Sequence, residues 1–100
     1  MLNNLILIGK IVNLPKKLKT DEIWCTFEIQ LERPYKNRFG KFITDNFQIK
    51  IWKEIIKPFL KSLKVNDLLV VRGRLEINED NKKLEIIADY LTPLLSNSIN

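Results

Sequence analysis

Ile23-Trp24-Cys25-Thr26-Phe27-Glu28-Ile29-Gln30-Leu31 alternates between two faces. Ile23, Cys25, Phe27, Ile29 and Leu31 fall on one side; Glu22, Trp24, Thr26, Glu28, Gln30 and Glu32 fall on the other. Period two over this length is the pattern of a half-buried strand, because successive Cβ atoms point to opposite faces of a sheet. Cys25 sits on the apolar side and reads as a small buried hydrophobe beside Trp24. A second alternation runs from Ile43 to Trp52. Phe47, Ile49 and Ile51 face one way, and Asn46, Gln48, Lys50 and Trp52 the other.

Between the two alternations lies Arg33-Pro34-Tyr35-Lys36-Asn37-Arg38-Phe39-Gly40-Lys41-Phe42, with four cations, three aromatic rings and no acid. Gly40 supplies a turn residue, so the segment reads as a basic β-hairpin. Cations that pair with phosphates and rings that stack on bases are what a single-stranded nucleic acid needs, whatever its sequence. A solvated hairpin tip with rings folded onto the core has the same composition. Trp52 also has two readings. It is a stacking platform in line with Lys50 and Gln48, or a cover for the barrel end or for the helix that follows.

Further out, Leu5 to Val12 reads as a buried strand, and its Gly9 as a bulge or bend. Leu14-Pro15-Lys16-Lys17 breaks it and starts a basic loop. Lys53 to Lys64 carries Ile55, Ile56, Phe59, Leu60 and Leu63 at helical spacing, with lysines mostly opposite. That predicts a short amphipathic helix packed on the core, with Pro58 in a first turn or at a kink. Val65-Asn66-Asp67 is a turn. Leu68 to Ile77 is a strand with Arg72 and Arg74 on one face, where they grip successive phosphates or pair with cross-strand Glu residues. Asn78 to Asn81 turns the chain, Leu84 to Tyr90 is the last strand, and a short tail follows.

Three strands, a helix and two strands predict an all-β protein: a five-stranded OB-fold Greek-key barrel with one short α-helix between strands 3 and 4. One hundred residues make one domain, expected over residues 1–95 with a tail at 96–100. The net charge of +5 favours a polyanionic partner. Lys outnumbers Arg thirteen to four, a bias that a whole genome can impose, so placement of charge weighs more than its total. There is no histidine and only one cysteine. That argues against an internal disulfide, a metal site or an activated thiol, so neither an enzyme nor a cofactor is expected. Leu5-Ile6-Leu7-Ile8 is too short to span a membrane and is cut by Gly9 and Lys10. The expected location is the cytoplasm, at the nucleoid.

Taken in order, four segments resemble the bacterial-type single-stranded DNA-binding proteins. They are Leu2 to Ile11, Phe27 to Asn37, Thr44 to Trp52 and Leu68 to Leu75. The resemblance spans residues 2 to 91. It implies non-sequence-specific binding of single-stranded DNA, with RNA as an alternative, in replication, recombination or repair. It also implies a homo-oligomer, dimer or tetramer, paired through the first strand. Tyr35 matches a hairpin ring that stacks on a base, and Trp52 a second aromatic contact. Lys10, Lys36, Arg72 and Arg74 match phosphate contacts more loosely. Arg33, Arg38, Phe39, Lys41 and Lys50 complete the expected surface. Asn46 stands where the family usually places a stacking Phe or Trp. The Asn78–Lys83 hairpin is short and ring-free. The family's acidic tip is not found in Ser96 to Asn100. The missing tip fits either a truncated chain or a protein that does not recruit partners that way, and the departures together fit a divergent paralogue. They also fit a primosome-like OB module that binds replication or restart proteins and holds DNA weakly.

Overall fold

The computed structural model describes residues 1–15 and 20–94. Lys16 and Lys17 of the expected basic loop, and the tail from residue 96, lie outside the described residues. Five strands close a barrel: β1 (Leu5–Asn13), β2 (Trp24–Lys36), β3 (Phe42–Trp52), β4 (Leu68–Ile77) and β5 (Leu84–Pro93). Their order around the barrel is β1-β2-β3-β5-β4, with β4 returning to β1. All pairings are antiparallel except β3 with β5. This is the OB-fold expected from the element order.

The two alternations pair with each other, Phe27 opposite Ile49 and Ile29 opposite Phe47. Their inward residues Phe27, Ile29, Ile49 and Ile51 are buried together with Ile11, Leu69 and Val71. Each such side chain contributes about 1.5–3 kcal/mol by leaving water. Cys25 lies half-buried against this cluster. Burial pushes its thiol above the ordinary value, with Glu22 adding to the effect, so it stays protonated at neutral pH.

Four local expectations need correction. The Lys53–Lys64 helix is interrupted. An α-turn, α1 (Lys53–Ile56), passes into a 3-10 turn at Lys57–Phe59. Pro58 has no N–H to continue the α-ladder, and the backbone tightens instead. The apolar stripe survives, with Ile56 and Leu63 buried at the barrel end. The first strand is not buried throughout: Ile6 and Ile8 are 61% and 54% exposed, because a barrel strand has an outer face as well as an inner one. Gly9 is not a bulge, since its pairing with Leu69 is in register. It is small because a Cβ there would sit 2.7 Å from the Gln30 carbonyl oxygen. Finally, β5 runs on to Pro93.

The bend in the barrel wall lies at Gly73. The β4–β5 register shifts between Arg72 and Gly73, which turns the strand. A Cβ on Gly73 would lie 1.8 Å from the Ile87 carbonyl oxygen, a backbone atom that cannot swing aside. Gly73→Ala should therefore destabilise the fold by about 1–3 kcal/mol, the usual cost of overpacking. Urea unfolding followed by far-UV circular dichroism reads the change as a lower midpoint at unchanged slope.

Candidate nucleic-acid interface

The β2–β3 pairing places Trp24 directly opposite Trp52, Thr26 opposite Lys50, Glu28 opposite Gln48 and Gln30 opposite Asn46. All of these point away from the core. Trp24 is 39% and Trp52 48% exposed, so Trp52 is not sealed beneath α1, whose N-terminus it precedes. The Lys50 ammonium lies 5.2 Å from the centre of the Trp24 ring and 3.4 Å from Glu85 Oε1 on β5. One end of the face is therefore a pair of neighbouring indoles with a cation beside them.

At the other end, β2 continues through the basic stretch to Lys36, further than its alternation predicted. The register shifts between Glu32 and Lys36. Pro34, which can donate no ladder hydrogen bond, sits in this irregular segment. The turn is built on Asn37. Its side-chain Oδ1 accepts from the N–H groups of Phe39 and Lys41 at 2.9 and 3.1 Å. Gly40 at φ 76° takes the left-handed position, the geometry of a hairpin closed by a type I turn and a bulge. Tyr35 and Phe39 are 59% and 71% exposed. The Lys36 ammonium lies 5.5 Å from the Phe42 ring, and the Arg38 guanidinium 5.0 Å from the Phe39 ring. Cations and rings thus alternate on an exposed tip, and the rings do not fold back onto the core.

Lys10 joins this face from β1: it lies opposite Gln30, which in turn lies opposite Asn46. The Gln30 side chain donates to Asn46 Oδ1 at 3.1 Å. Arg33 is committed elsewhere. Its Nε and Nη2 reach the two carboxylate oxygens of Asp45 at 2.8 and 3.1 Å, a fork that braces the base of the hairpin. The bonded guanidinium holds the Asp45 carboxyl below the ordinary value, and the carboxylate raises Arg33 in turn.

Arg72 and Arg74 are not brought to this face. Their strand, β4, is separated from β3 by β5 and from β2 by β1. Arg72 lies between Ile6 of β1 and Tyr90 of β5. Arg74 pairs with Glu76 on its own strand and with Asp89 on β5: it is held by acids, as the sequence had left open, but the cross-strand partner is an Asp where a Glu was expected. Sequence reasoning assigned no role to Trp24, and counted Phe42 among the hairpin rings without placing it in the expected surface. For Trp24 the signal was present, since it falls on the polar side of its own alternation, as Trp52 does. Among the described residues no cluster of His, Cys, Asp or Glu could hold a metal ion, and no helix is long and apolar enough to cross a membrane.

An OB barrel with a ring-bearing, basic face on β2–β3 belongs to the class of oligomer-binding barrels. More narrowly, residues 2–94 match the Single-strand binding protein family, and the chain belongs to it. Single-stranded DNA-binding protein 1 of Lactococcus lactis is 27% identical over 97% of this chain and 71% of its own length. A Plasmodium falciparum SSB solved in complex with ssDNA superposes with a TM-score of 0.70 at 26% identity, covering 94% of this chain and 96% of that one. The N-terminal domain of PriB from Thermoanaerobacter tencongensis shares the fold, with a TM-score of 0.60 at 18% identity over 92% and 96% of the two chains.

The Arg33–Asp45 fork has a signature in pH. Because the folded pKa of Asp45 is depressed, its stabilisation is present above the unfolded aspartate value and is lost as pH falls through the folded one. Carboxyl-carbon NMR should give Asp45 a midpoint below that of an ordinary aspartate, and Arg33→Ala should return it upward. An unshifted midpoint in the native protein would remove the fork.

Proposed function

We propose that this protein binds single-stranded DNA without strong sequence preference, along the outer face of β2–β3 and up the basic hairpin. The observation that carries this reading is one continuous exposed surface. It runs from Trp24, Lys50 and Trp52 to Tyr35, Lys36, Arg38, Phe39, Lys41 and Phe42, with Lys10 at its flank. Rings stack on bases, and cations displace counterions from phosphates. The family membership and the Plasmodium relative held on ssDNA support it. Replication, recombination or repair is the setting such binding serves, at the nucleoid in the cytoplasm, with single-stranded RNA as the competing ligand. The protein acts by coating and has no catalytic step. Residues 1–95 form the binding domain.

The protein acts as a homo-oligomer. Exposed Ile6 and Ile8 on β1, with Leu68 on β4 and Tyr90 on β5, form an apolar outer face that borders the DNA track at Lys10, the partner of Leu68, and is suited to a second copy. Arg72 belongs to this face rather than to the phosphate track. A second reading, a module that mainly engages replication or restart proteins, is favoured by Asn46 and the ring-free β4–β5 hairpin, which weaken the DNA surface.

Titration of a labelled oligo-dT at several salt concentrations, with the matching duplex as control, tests the proposal. Trp24→Ala, Trp52→Ala and Tyr35→Ala should each weaken single-strand binding about tenfold, as loss of one stacking contact does. Lys36→Glu should weaken it and lower the salt slope by about one ion, whereas Arg72→Ala should leave binding to a pre-formed oligomer unchanged. Wild-type binding in all three ring variants would overturn the site, and equal affinity for duplex would overturn the function.

A further inference from the structure

The parallel contact of β3 with β5 is short, confined to residues 49–51 against 86–88. Above it the two strands part, and a groove of about 430 Å³ opens between β3 and the β4–β5 hairpin. Its lining is mostly aliphatic: Leu75, Leu84 and Ile86 of the hairpin strands, with Leu5 and Leu7 of β1 and Phe47 of β3 beside them. Leu75 and Leu84 are 41% and 62% exposed, so this lining is wet in the free protein. Its rim on β3 is Asn46, Gln48 and Lys50, the same outward row that makes the middle of the DNA face.

That middle is where the face has no ring. From Phe42 to Trp52 the outward positions of β3 are Thr44, Asn46, Gln48 and Lys50, a run of about 33 Å at about 3.3 Å per residue. Several nucleotides laid along it meet no stacking surface on β3, while an apolar recess of small-molecule size opens at its edge. We propose that this groove is a nucleobase pocket, taking one unstacked base of the bound strand onto Leu75, Leu84 and Ile86. The proposal rests on the single-strand reading above and extends it.

The rim chemistry suits a base of any identity. Asn46 Oδ1 is held by Gln30, which turns the amide NH2 outward as a donor, and every base offers an in-plane acceptor. Lys50 spans the narrow end to Glu85 at 3.4 Å. Asn78 Nδ2 donates to the other Glu85 oxygen at 3.3 Å, so the carboxylate keeps a partner when a phosphate draws Lys50 away. Asn46 is thereby not merely a lost ring: a ring at this position would lie over the groove that the amide leaves open.

The test pairs two ligands with two variants. Leu84 is exposed, so Leu84→Ser leaves the core intact. It should weaken binding of oligo-dT roughly fivefold, the lower end of what one base-stacking contact is worth. Binding of an abasic oligonucleotide of equal length, measured at low salt, should not change. In the wild-type complex, the thymine methyl should give nuclear Overhauser effects to the methyls of Leu84 and Ile86. Trp52→Ala is the control for the face as a whole. Loss in Trp52→Ala with none in Leu84→Ser, equal loss on both ligands in Leu84→Ser, or no thymine contact to those methyls overturns the pocket and leaves the face standing. A wild-type protein that does not hold oligo-dT overturns both.

Discussion

The antiparallel pairing of β2 with β3, from Trp24–Trp52 to Glu32–Thr44, is the constraint on which the rest depends. It commits Phe27, Ile29, Ile49 and Ile51 to the core in the same act that commits Trp24, Lys50 and Trp52 to solvent. A slip of one residue would exchange the two sets, burying Lys50, Gln48 and Glu28 without partners and exposing four large apolar side chains. Stability and candidate function are therefore not separable along these strands. The register shift between Glu32 and Lys36 releases the hairpin from the barrel's alternation. Beyond it, rings are free to face outward without disturbing the core.

Closure of the barrel imposes a second constraint. Gly9 and Gly73 stand where the backbones of β2 and β5, respectively, come too close for a Cβ. Closure also gives the barrel two chemically different outer sides. One is basic and aromatic, on β2–β3. The other carries Ile6, Arg72 and Tyr90, on β1, β4 and β5, and meets the first where Ile8 and Leu68 adjoin Lys10. Arginines that look alike in the sequence end in unlike roles. Arg33 braces the hairpin through Asp45, Arg74 is held by two carboxylates, and Arg72 stands on the apolar side.

The parts legible in advance were those whose signal is local. Alternation over Ile23–Leu31 and Ile43–Trp52, the stripe from Ile55 to Leu63, and the turns at Gly40 and Asn66 each depend on residues a few positions apart. Each appears in the barrel close to where it was expected. The errors have local causes too. Pro58 shortened a helix whose apolar stripe was read correctly, and the apolar run Leu5–Ile8 concealed that a barrel strand has two faces. The outward position of Trp52 was legible from the polar residues in step with it. Trp24 obeyed the same rule and was passed over.

The sequence alone determined which side chains of β2 and β3 face the core, where the cations and rings gather, and that the chain makes an OB barrel, because periodicity and turn chemistry act over short range. It did not determine which outward residues become neighbours. The apposition of Trp24 with Trp52, the fork from Arg33 to Asp45, the separation of Arg72 from the basic hairpin and the groove between β3 and the β4–β5 hairpin join residues 10 to 40 or more positions apart. Such contacts are set by strand register and barrel closure. These are properties of the packed chain as a whole, and only the tertiary structure decided them.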